Sequence, residues 1–88
     1  MTGQGPPSRA DLARATPEEL AALAEAAIDA LARSGDLAAF GHLLRLTQVT
    51  GEAVGTAART LADRSSWTGV AEIAGTSRQA AWERWRGR

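Results

Sequence analysis

Residues 77–86 of the 88-residue chain read SRQAAWERWR. Arg78 and Gln79 place a guanidinium and a carboxamide in succession, the two side chains best fitted to bidentate bonding with base edges. Arg donates to O6 and N7 of guanine, and Gln pairs with N6 and N7 of adenine. Ser77, with the unsatisfied amides of a helix start around it, can hold a phosphate as well as approach a base. Trp82 falls beside the same face, where an indole can stack or touch thymine methyls. Thr76 precedes this group, and Arg84, Arg86 and Arg88 follow it where the chain leaves such a helix. All four suit phosphate contact. In the last eleven residues Arg78, Arg84, Arg86 and Arg88 face only Glu83.

An Arg-Gln pair on a helix is by itself ordinary solvated surface, so its meaning depends on what positions it. The stretch WTGVAEIAGTSRQAAWERW, residues 67–85, reads as helix 67–74, a corner at 75–76 and a second helix 77–86. Val70 and Ala74 give the first helix an apolar face, and Ala71 is small enough for a second helix to cross closely. Gly75 can take the positive φ of the corner. Ser77 can cap the second helix, whose Ala81 and Trp85, at i and i+4, pack back on the first. Trp67 and Trp85 are expected in the core and Trp82 at its boundary.

Upstream, residues 1–10 are rich in Gly, Pro, Ser and Gln without periodicity and read as a disordered leader. Thr16, Pro17 and Glu19 then supply an N-cap, a first-turn proline and a capping box. Leu20, Leu23, Ala27, Ile28 and Leu31 share one helical face as far as Ser34-Gly35. Asp36 caps the next segment, in which Phe40, Leu43, Leu44, Thr47, Gly51, Val54, Ala58 and Leu61 recur every three or four residues. Thr47, Val49 and Thr50 beside Gly51 are poor helix formers, which favours a break near 49–51 over the other reading, one long helix whose Gly51 and Gly55 admit a closely packed neighbour. His42 lies one residue off the apolar stripe and is expected at the surface or its boundary. The domain plan is a leader (1–10), an N-terminal helical support and dimerisation region (11–64) and a helix-turn-helix region (65–88). The fold class is all-α, four to five helices, with no wing.

Composition agrees, since Ala, the strongest helix former, supplies 20 of the 88 residues. The net charge of zero hides an asymmetry: residues 1–36 hold three Arg against six acids, and residues 37–88 hold seven Arg against four. The basic half can attract phosphate. There is no Cys, and a single His cannot build a metal site. No nucleophile–base pair and no Gly-rich phosphate loop is present, so no enzyme, cofactor or small-molecule ligand is expected. No apolar run reaches membrane-spanning length and no secretory signal opens the chain, which reads as cytoplasmic.

The segment SW…VAEIAGTSRQAAWERW resembles the C-terminal helix-turn-helix of small actinobacterial DNA-binding proteins and is similar to that of sigma-factor region 4. The likeness covers residues 60–86. It implies nucleoid-associated or regulatory binding of double-stranded DNA, with Ser77, Arg78, Gln79 and Trp82 in the reading positions. Thr76 and Ala74 depart from it, standing where apolar residue and Leu are usual. One such motif makes few base contacts, so a homodimer is expected, paired through the Leu20–Leu23–Ile28–Leu31 face and the Gly51/Gly55 stripe. The alternative is a helical adaptor, an anti-activator or polymerase-binding protein, that does not touch DNA.

Overall fold

The computed structural model describes residues 6–87 of the chain. The described residues form five α-helices and no strand: α1 (Arg9–Arg14), α2 (Pro17–Arg33), α3 (Leu37–Arg64), α4 (Trp67–Ala74) and α5 (Arg78–Trp85). The all-α expectation holds. No helix among the described residues is long and apolar enough to cross a membrane.

The leader needs correcting. Residues 1–5 lie outside the described residues, but Ser8 caps α1 in a reciprocal box. The Asp11 amide donates to Ser8 Oγ at 3.1 Å, and the Ser8 amide donates to Asp11 Oδ2 at 3.0 Å. The Ser8 amide and then the Ser8 hydroxyl hold the Asp11 carboxyl below its ordinary range, with desolvation opposing them and Arg14 adding the least. Ser-x-x-Asp was legible as a cap. The helix it starts is one and a half turns long and buries nothing, so no apolar period marks it in the sequence.

Of the two readings of α3 the less favoured holds, and the helix runs unbroken through residues 49–51. Thr47, Val49 and Thr50 each weaken a helix by tenths of a kcal/mol, whereas a break opens two new ends with up to four unpaired backbone groups apiece. The start of the helix is as expected, the Ala39 amide donating to Asp36 Oδ1 at 2.7 Å. α2 likewise begins at the Thr16–Glu19 capping box and stops at Ser34, with Gly35 at φ 73°.

The chain divides into two units, Met1–Leu43 and Leu44–Arg88, so the division falls inside α3 and not between α3 and α4. In the first unit Ala39 is the buried apolar residue, and Ala27, Ala30 and Leu31 of α2 lie around it with Ala38 and His42. His42 is exposed, as expected. In the second unit Ala58 of α3, Val70 and Ala71 of α4 and Ala81 of α5 form the core, flanked by Ala62, Trp67 and Trp85. The eight-residue helices α4 and α5 cannot bury their apolar faces on each other alone. Both lean on the second half of α3, which is why that half belongs with them.

The two mid-helix glycines of α3 differ. A Cβ on Gly51 would meet nothing within 4 Å, whereas one on buried Gly55 would stand 3.3 Å from Arg59 Nη1. Gly51→Ala should therefore stabilise the protein by about 0.5–1 kcal/mol, the ordinary helix gain of Ala over Gly. Gly55→Ala should gain less or lose, because its methyl displaces the guanidinium. Denaturant titration of both variants checks this; a loss of stability in Gly51→Ala would mean that this position meets a partner.

Candidate nucleic-acid interface

The corner between α4 and α5 is a Schellman closure. Gly75 takes φ 71°, its amide donates to the Glu72 carbonyl at 3.3 Å, and the Thr76 amide donates to the Ala71 carbonyl at 3.0 Å. A β-carbon at Gly75 would be strained at that φ whatever room it had. Ser66 caps α4 through the Gly69 amide (3.4 Å), and Ser77 caps α5 through the Ala80 amide (3.1 Å). Two of the expected contact groups are thus partly committed to folding. The Thr76 amide is spent on the corner, leaving its hydroxyl for phosphate, and Ser77 Oγ is an acceptor inside the cap.

Packing sets which face of α5 stays open. Ala81 is fully buried against Val70 and Ala71, with Trp85 half-buried beside it, as its i, i+4 spacing required. Trp67 is also half-buried against this core. Ala74 departs from expectation: it is exposed and lines a groove with Ile73 while Ala71 fills the interior place. The helix then turns Arg78, Gln79, Trp82, Glu83 and Arg86 outward, all exposed. Arg78 has no hydrogen bond or ion pair to another described residue. Gln79 donates one amide hydrogen to Glu83 Oε2 at 2.9 Å. Its carbonyl oxygen and second amide hydrogen stay open, the pair that adenine N6 and N7 call for. Glu83 thus orients Gln79, a role its i+4 spacing could have suggested.

The Arg86 guanidinium lies 4.6 Å from the Trp82 ring centroid. This stacking covers one face of the indole. Base stacking on that face is closed. Arg84 goes elsewhere. Its guanidinium sits 5.3 Å from the Trp85 ring, on the flank of α5 away from Trp82. There it lines a polar cleft of about 440 Å³ with Gly51, Gly55, Arg59 and Gly87. Arg78, Gln79, Trp82 and Arg86 are therefore brought together, and Arg84 is not among them. Arg88 lies outside the described residues.

Arg59 is the residue that sequence reasoning missed. Its Nη1 donates to the Trp85 carbonyl at 3.2 Å, a contact across 26 residues that caps the last turn of α5 and ties it to α3. Gly55 provides the space beneath the guanidinium, and Arg59 Cδ comes within 3.8 Å of where a Cβ on Gly87 would stand. One Arg on an amphipathic helix carries no sequence mark distinguishing it from solvated surface.

Comparison with protein-family models, with curated proteins and with solved structures finds no match for this chain.

Arg59→Ala removes a charged donor from a half-buried carbonyl and should cost about 1–2 kcal/mol. The midpoint of thermal unfolding should fall by roughly 5–10 °C. Amide exchange should speed up in the last turn of α5 more than in α4. Uniform acceleration across α4 and α5 would deny Arg59 this local hold.

Proposed function

We propose that the protein binds double-stranded DNA by laying α5 in the major groove, acting at the nucleoid as an architectural protein or as a small transcriptional regulator. The observation that carries the reading is the open first turn of α5. After the Gly75 corner, Arg78 and the oriented amide of Gln79 stand exposed together, with Trp82 and Arg86 extending the same face. In helix-turn-helix binding the N-terminal residues of the second helix meet base edges while flanking groups meet phosphates. Arg78 and Gln79 are the specificity pair, Ser77 and Trp82 flank them, and Thr76 and Arg86 hold phosphate through hydroxyl and guanidinium. Arg84 and Arg88 complete the basic end. A homodimer provides two reading helices for two half-sites.

One observation favours a second reading, an adaptor that docks on another protein. Ile73 is 87% exposed at the outer end of α4, more than DNA reading by α5 accounts for. The two readings separate on Arg78 and Gln79, which an adaptor built around Ile73 does not use.

Arg78→Ala and Gln79→Ala should each cost about 1–3 kcal/mol against a site selected from a random duplex pool, with the fold intact by circular dichroism. Binding to scrambled duplex should fall much less, most visibly for Gln79, which has no charge to lose. Equal losses on both duplexes would reduce α5 to a phosphate anchor. No loss on either would favour the adaptor.

Arg86→Ala should weaken binding to all sequences alike and lower the slope of log affinity against log salt by about one unit, and Arg84→Ala, off that face, should lower it by less. Altered sequence preference with an unchanged slope would contradict the phosphate assignment.

A further inference from the structure

The second unit carries an apolar groove of about 220 Å³ that the fold leaves open. It is lined by Val54 and Leu61 of α3, Val70, Ile73 and Ala74 of α4, and Trp85 of α5. Ile73 is 87% exposed, and Val54 and Leu61 are each 45% exposed. In the first unit, α2 buries none of its residues, although Leu20, Leu23 and Ile28 form an apolar stripe along it. We propose that these two surfaces meet between copies: α2 of one molecule lies in the Ile73 groove of a second.

Charge complementarity points to a second copy as the occupant. The unit bearing α2 holds three Arg and six acids, a balance of −3, and the unit bearing the groove holds seven Arg and four acids, a balance of +3. Packing α2 on α2 brings like charge together, and packing groove on groove does the same. Packing α2 into the groove joins opposite charge and favours encounter at low salt. The mode is a helix in a groove, read by side chains at i, i+3 and i+8. With 17 residues, α2 is about 25 Å long, enough to cross the groove.

This inference rests on the homodimer within the proposed function and is independent of DNA. The chain has no Cys, so single-Cys variants report without background. Leu23→Cys and Ile73→Cys, mixed in equal amounts and oxidised, should give the mixed disulfide well above the fraction that indiscriminate pairing yields. Ile73→Glu, which keeps its fold because the side chain is exposed, should turn the dimer seen by light scattering at tens of micromolar into monomer. Predominance of the Leu23→Cys self-disulfide would keep the homodimer and overturn this pairing. Monomeric wild-type protein in light scattering would overturn both. Loss of duplex binding with the mixed disulfide intact would refute the DNA reading alone.

Discussion

Everything the second unit does depends on three helices meeting over side chains no larger than valine. Ala58, Val70, Ala71 and Ala81 make the core, and Ala81 retains no exposure at all. Small side chains let helix backbones approach closely, and that closeness fixes the crossing of α5 on α4 more tightly than two eight-residue helices otherwise could. The Gly75 corner serves the same end. With φ at 71° the chain reverses within two residues and sets Ser77 as the first cap of α5. Since Ala81 and Trp85 must face inward, the period of the helix leaves Arg78, Gln79, Trp82 and Arg86 outward. The exposed face of α5 is a consequence of its buried one.

A core of this kind is thin. The buried apolar residues are four alanines and one valine, while Leu37, Phe40, Leu44 and Ile73 stand largely in solvent. At about 25 cal/mol per Å², each fully buried Leu or Phe adds more than an alanine can supply. A chain of this size without Cys gains most from covering such residues on another molecule. The polar contacts compensate only locally. Arg59 satisfies one carbonyl at the end of α5, and capping boxes at Ser8 and Thr16 satisfy the starts of α1 and α2. Each holds an end in place, and none replaces buried area.

Local chemistry was legible in the sequence wherever neighbours three to five residues apart decide it. Thr16–Pro17–Glu19, Asp36, Gly75 and Ser77 declare their caps and corner, and the 3.6-residue period declares which residues share a face. The bounds of α4 and the inward turn of Ala81 and Trp85 follow from these. Propensity misled at residues 47–51, because a helix interior is judged against the cost of opening two ends and not residue by residue. Composition misled at Ser8, where a Gly- and Pro-rich stretch without apolar period hid the cap of a short helix.

Tertiary structure alone decided what depends on distant partners. Nothing near Arg59 in the chain announces that its guanidinium reaches the carbonyl of Trp85, or that Gly55 exists to admit it. Arg84 and Arg86 stand two residues apart, yet one lies against Trp85 and the other against Trp82, on different flanks of the helix. Which apolar positions would stay uncovered was equally hidden, because periodicity names a face without naming what lies on it. The sequence by itself determined the helices, their caps and the charge of each half. The fold decided which side chains those helices bring together, since that depends on contacts between residues far apart in the chain.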